Sequence, residues 1–286
     1  MRHHLNAEIA GRLRLMADLR QQQGDNGFRV QAYRRAADTL EALEEPVDAI
    51  LAHKGRAGLI ALEGVGAGIV AAIAEIVATG RWAQLERLQG LLEPEELFRS
   101  LPGIGPKLAA RLHDELEMET LEQLEMAAHD GRLERVDGVG ARRAASIRAV
   151  LKERLGGRRI QRRVEPAPSI AALLSVDALY RRCADAGELR TITPRRFNPK
   201  NEPWLPVMHL DRGRWHFTAL YSNTARAHQL GKSKDWVVVY FHTANSPESQ
   251  ATIVTETRGP LKGRRVVRGR EQDCVSHYAV KRPRTG

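Results

Sequence analysis

The sequence predicts a multidomain protein: an all-α first half built of helix-hairpin-helix units, and an α+β second half with an antiparallel sheet. Three observations carry this. The turns Leu62-Glu63-Gly64-Val65-Gly66, Leu101-Pro102-Gly103-Ile104-Gly105 and Val136-Asp137-Gly138-Val139-Gly140 lie 39 and 35 residues apart. Each leads into helix-forming sequence with a small residue near its start (Ala71, Ala109, Ala144), so a supersecondary unit is repeated. Beyond residue 168 the texture changes to short β-rich runs. Charge divides the same way: residues 1–150 hold 19 Lys and Arg against 23 Asp and Glu, and residues 151–286 hold 26 against 12.

Residues 6–48 read as helices. Leu13, Met16 and Leu19 recur near helical spacing, and Phe28 opens a second run continued by Leu40 and Leu43. The polar stretch 21–27, with Gly24 and Gly27, breaks the two. From 58 to 155 the pattern is short helix, glycine turn, short helix. Between the repeats, residues 82–92 and 121–128 are amphipathic, with Glu interleaved among Leu. Residues 156–168 combine glycines, a basic cluster, Pro166 and Pro168, the composition of a linker. A helix follows at about 170–186, then strands at 214–221, 235–241 and 252–257, with a short helix at 223–230 before the second of them.

The glycine turns carry the first functional expectation. Neither glycine of a Gly-hydrophobic-Gly turn has a Cβ to hold off a ligand's approach. The amides opening the next helix are unpaired and lie at the positive end of its dipole. Such a place takes an anion, and a nucleic-acid phosphate suits recognition that ignores sequence. Lys107, Arg142 and Arg143 stand just past the second and third turns, where acids are the usual choice, which again points to phosphate. The first turn offers only Ala67, Gly68 and Ile69 there, so it can equally be a packing turn. The helical half, at a net of −4, would touch nucleic acid locally, through its turns.

The second half, at a net of +14, is suited to polyanion attraction. Residues 258–271 gather Arg258, Lys262, Arg264, Arg265, Arg268 and Arg270 among glycines, which predicts a phosphate-tracking hairpin or loop. No stretch of about 18 apolar residues is present and the first residues lack a signal peptide's apolar segment, so no membrane partner is expected. Cys183 and Cys274 are the only cysteines, which suits a reducing cytoplasm and excludes a cysteine-rich zinc site.

The first half also resembles a known family. Phe28-Arg29-Val30-Gln31-Ala32-Tyr33-Arg34-Arg35-Ala36-Ala37, the stretch from Leu62 through Glu75-Ile76-Val77-Ala78-Thr79-Gly80, and residues 101–109 are similar to the amino-terminal region of the family X DNA polymerases. The resemblance covers residues 6–155. It implies a compact helical region over 1–56 and helix-hairpin-helix repeats over 57–155; the linker 156–168 and the basic α+β domain over 169–286, which no resemblance assigns, follow from composition alone. It further implies a hold on gapped, nicked or otherwise structured DNA by its backbone, through Gly64, Gly66, Gly103, Gly105, Lys107, Gly138, Gly140, Arg142 and Arg143. In that family a hairpin can also bind a monovalent cation through backbone carbonyls; no other cofactor is expected.

Two departures bear on activity. The family's lyase lysine aligns with Ala72 and its supporting lysine with Gly68, and arginine cannot stand in as a neutral amine. Nucleotidyl transfer needs paired carboxylates for two Mg²⁺ ions, yet no Asp-x-Asp follows residue 155 and no Gly-Ser turn precedes a β-rich run. The family's phosphoesterase domain would need clustered His and Asp and more chain than remains. The expectation is therefore a repair- or recombination-type DNA-binding protein without polymerase or lyase activity, and with no catalytic residues. The alternative is a metal-dependent DNA phosphodiesterase in the second half, drawing on His216, His228, Asp235, Glu256 and Glu271. Its acid pattern fits poorly, because Glu256-Thr257-Arg258 has arginine where a restriction-like nuclease places lysine.

Overall fold

A computed structural model describes residues 3–91, 94–116, 118–119, 121–154, 167–243, 246 and 248–280. Residues 156–166 of the expected linker lie outside them. The chain forms two compact units: Met1–Arg162 with Thr193–Glu202, and Arg163–Ile192 with Pro203–Gly286.

In the first unit, α1 (His3–Gln22) and α2 (Gly27–Glu41) pair through their apolar stripes. Ile9, Leu13 and Met16 on one and Val30, Tyr33 and Leu40 on the other are buried. The predicted break at 21–27 is the turn between them, where Asn26 caps α2 by accepting the Phe28 N–H. Arg20 is fully buried beneath this turn; it pairs with Asp25 at 2.5 Å and lies over the Tyr33 ring. Burial of such a charge is tolerated only with a partner of this kind. α3 (Val47–Ile60) and α4 (Ala67–Thr79) flank the first glycine turn. α4 is apolar on most sides, and its buried Glu75 carboxylate accepts the Ala83 N–H at the start of α5 (Ala83–Gln89) at 2.8 Å.

α6 (Pro94–Arg99), α7 (Pro106–Leu116), α8 (Leu121–Asp130) and α9 (Ala141–Arg154) share one hydrophobic core. Ile104 and Val139, the middle residues of the second and third turns, are both sunk into it. Each turn is thereby anchored by its hydrophobic residue while its glycines face out. Thr193–Glu202 completes this unit, a return along the chain that composition did not announce. Its Arg195 N–H donates to Gly90 O at 2.7 Å, and Arg196 pairs with Glu95 at 2.6 Å. Gly90 has φ +75°, and a Cβ there would fall 2.2 Å from Thr193 O.

The second unit is a six-stranded antiparallel meander in the order β1 (Arg190–Ile192), β2 (Leu205–Arg212), β3 (Trp215–Tyr221), β4 (Val237–His242), β5 (Ser249–Thr255), β6 (Arg265–Val267). α10 (Ile170–Asp185) crosses one face, α11 (Ala225–Gln229) joins β3 to β4, and α12 (Glu271–Val280) follows β6. Tyr180 of α10 ties helix to sheet: its hydroxyl donates to Pro206 O at 2.8 Å and accepts the Tyr221 N–H at 2.9 Å. Burial pushes its phenol far above the usual range. α12 covers the edge of β6, since Tyr278 donates to Arg265 O and the Val267 N–H reaches Cys274 Sγ. The α+β class and antiparallel sheet agree with the sequence; β1, β2 and β6 come in addition to the predicted strands.

A candidate nucleic-acid interface

The three glycine turns share a backbone pattern and differ in their surroundings. In each, the fourth residue's N–H donates back to the first residue's carbonyl: Val65 to Leu62, Ile104 to Leu101, Val139 to Val136, at 3.0–3.2 Å. The last glycine's carbonyl then accepts the first bond of the following helix, from Val70, Ala109 and Ala144. The amides of the glycine and of the next residues are thus left at the positive end of the helix.

The first turn is seated on α2. The Thr39 hydroxyl donates to Glu63 O at 2.9 Å, and a Cβ on Gly64 would touch Arg35 Cβ at 3.4 Å. Gly66 and Gly68 beyond it are exposed, while Ala72 is only 3% exposed on the inner face of α4.

The second turn is open. Pro102, Gly103, Gly105, Pro106 and Lys107 are all exposed, and among the described residues Lys107 has no ion pair. Gly103 needs glycine for its own conformation, with φ +82°. Gly105 does not: its φ lies outside the left-handed region, and nothing stands within 4 Å of the Cβ position. Gly140, its counterpart in the third turn, is equally unconstrained.

Arginine surrounds the third turn. Arg143 donates to Gly138 O at 2.6 Å, and Arg111 reaches over from α7 to Asp137 O and, at 2.9 Å, to its carboxylate. Arg142 is exposed beside them. Two guanidinium groups held on the turn keep N–H donors in hand for an anion. Arg111 was missed from sequence. Its signal was the four-residue spacing from Lys107, which puts both cations on one face of α7.

The basic run of the second half is ordered structure, part of it strand. Gly259–Leu261 is a 3₁₀ turn, Arg265–Val267 pairs as β6, and Glu271 opens α12. Lys262 is exposed; Arg264 lies over the Tyr278 ring at 4.9 Å and Arg268 over Trp236 at 4.8 Å, placements that leave the cations outward. Arg270 pairs with Asp273 and donates to Pro168 O. Arg265 points the other way. It forks onto both oxygens of Asp177, which is 1% exposed, at 2.6 and 3.0 Å, and also binds Asp235 and Ile253 O. Its guanidinium braces α10 against the sheet.

The alternative's acids and histidines are spread among local contacts. His228 pairs with Asn223, Asp235 serves Arg265, Glu256 accepts the Thr257 and Arg258 amides, and Glu271 accepts the Gly269 N–H. Among the described residues no three His, Cys, Asp or Glu side chains are placed to hold a metal ion. Among those residues, too, no helix is long and apolar enough to cross a membrane.

Residues 4–82 match the family described as helix-hairpin-helix domain, and residues 56–117 and 95–153 match the SAM-like helix-hairpin-helix tandem. The N-terminal half carries helix-hairpin-helix domains. Over 137 residues the chain is 33% identical to the DNA polymerase/3'-5' exonuclease PolX of Bacillus subtilis (strain 168), taking in 46% of this chain and 22% of that protein. The similarity to a family X polymerase is thus to its N-terminal region, and the chain spans about a fifth of that relative's length. Helix-hairpin-helix domains indicate DNA binding. The second and third turns fall within the tandem match, and their shared core is that tandem.

Proposed function

We propose that this protein binds gapped, nicked or otherwise broken DNA by its backbone phosphates, as a repair- or recombination-type factor without polymerase or lyase activity. The observation that carries it is the pair Gly105 and Gly140: exposed glycines at the mouths of two hairpins, where neither packing nor φ calls for glycine. A phosphate oxygen drawn to about 3 Å of an amide is the approach that a side chain would hinder. Lys107 at the second turn, and Arg111, Arg142 and Arg143 at the third, supply the charge. Lys262, Arg264 and Arg268 extend it in the second unit. A monovalent cation at a hairpin carbonyl is compatible with this hold.

A lysine at position 72 would start from a side chain that is 3% exposed, and position 68 offers glycine. The full chain should therefore leave no borohydride-trapped adduct on abasic DNA, and should not extend a gapped duplex with deoxynucleotides and Mg²⁺ or Mn²⁺. An adduct mapping to residues 3–154, or an extended primer, would refute this part of the proposal.

A further inference from the structure

Alternate connections of an antiparallel meander leave by the same end of the sheet, so the β3–β4 connection (222–236) and the β5–β6 connection (256–264) lie together. Their centres are two strand spacings apart, about 10 Å. Direct contacts tie them. Arg265 donates to Asp235 O and to the Asp235 carboxylate, the Thr255 hydroxyl donates to the same carboxylate, and Arg268 lies over the Trp236 ring. Each connection is also closed on itself. In the first, the Ser222 N–H donates to Trp236 O at 2.8 Å and the Thr224 hydroxyl caps α11. In the second, the Glu256 N–H donates to Arg264 O at 2.9 Å, and the buried Leu261 anchors the loop.

The fold sorts the charges of these two loops. Their two acids are engaged by the protein: Asp235 turns to Arg265 and Thr255, and the Glu256 carboxylate accepts the Thr257 and Arg258 amides. Lys232 lies 4.0 Å from Asp235. The other cations face water: Arg226, Lys234, Arg258, Lys262, Arg264 and Arg268 are all exposed. Among the described residues, none of the six pairs with a carboxylate. Cations with no acid among them, on loops held by hydrogen bonds, suit a run of phosphates. One turn of a duplex spans about 34 Å, so loops about 10 Å apart meet the same turn. The aromatic rings do not favour a single strand. Trp236 is 5% exposed beneath Arg268, and Tyr278 lies beneath Arg264, so these rings orient guanidinium groups instead of receiving bases.

We propose that this end of the sheet is a second DNA site, where Arg226 and Lys234 join Arg258, Lys262, Arg264 and Arg268 on the backbone of intact duplex. The inference rests on the DNA-binding reading above and assigns two roles within it. The hairpins distinguish broken DNA; this surface adds affinity without distinguishing it.

The test is the double variant Arg226→Ala/Lys234→Ala of the 286-residue chain, titrated by anisotropy against intact and gapped duplexes of one sequence. Two exposed charge contacts are lost, so both affinities should fall by about 5- to 30-fold. The slope of log affinity against log salt should drop by about 1.8, roughly 0.9 for each phosphate released. The ratio of the two affinities should stay as in the parent. Arg226→Lys/Lys234→Arg, which keeps both charges, should bind like the parent, and the circular dichroism melts of both variants should match it because the positions are exposed. A double alanine variant with parental affinity and slope would overturn the inference and leave the DNA-binding reading standing. A loss confined to the gapped duplex, or one as large in the charge-keeping variant, would overturn it equally. A parent chain that binds neither duplex would overturn the DNA-binding reading and this inference with it.

Discussion

Gly105→Val separates the fold from the interface. The position is exposed, its φ is ordinary, and no atom stands within 4 Å of the new Cβ. Pro106 follows it and favours the extended backbone that valine accepts. The folding cost is then mainly the weaker capping preference of an apolar residue, up to about 1 kcal/mol. Gly103→Val, at φ +82°, should cost more, about 1–2 kcal/mol for the left-handed conformation alone. DNA binding should rank the other way. If valine at 105 displaces one amide–phosphate hydrogen bond, about 1.5–3 kcal/mol is lost, a weakening of roughly 10- to 150-fold. Lys107→Ala removes an exposed charge worth about 0.5–1 kcal/mol, only about a 2- to 5-fold loss, and lowers the salt slope by roughly 0.9. Anisotropy titrations on a gapped duplex give the affinities, and thermal melts by circular dichroism give the stabilities. A Gly105→Val protein that melts and binds like the parent would make the second hairpin structural and refute its role as a phosphate site.

Three further outcomes follow from the packing and the charge. Gly90→Ala forces a Cβ towards Thr193 O at a left-handed φ and should lower stability by about 2–5 kcal/mol, seen in a urea melt; an unchanged midpoint would mean that Thr193–Glu202 does not hold this place. Arg265→Met leaves the buried Asp177 carboxylate without its main partner and should cost about 3–5 kcal/mol while the salt dependence of DNA binding stays as it was; a lost phosphate contact with full stability would reverse the assignment. The triple change of Lys262, Arg264 and Arg268 to alanine should leave the melt close to the parent and reduce the slope of log affinity against log salt by about 2–3, whereas an unaltered slope would remove this segment from the interface.

The glycine turns were legible because they are local: the Gly-hydrophobic-Gly pattern sets the turn, and the helices on either side have clear apolar stripes. The helix expected at 170–186 appears as α10 for the same reason. β2 was hidden by Pro206 near its start and by weak alternation through Met208, His209 and Leu210. β1 and β6 are three residues long, too short for any period to show. Arg264, Arg265 and Arg268 look alike in sequence; only the alternation of β6 sends the middle one to α10. The return of Thr193–Glu202 to the first unit depends on Gly90 and Glu95, about a hundred residues earlier, and no local signal encodes that.

Competition among duplexes of one sequence that are intact, nicked or gapped decides whether the hairpin backbone holds broken DNA. The 286-residue chain at physiological salt should bind the gapped and nicked forms more tightly than the intact one. The preference should persist when the sequence is changed, because phosphates carry no base information. Equal affinity for all three forms, or a preference that follows sequence, would rule out recognition of broken DNA by its phosphates.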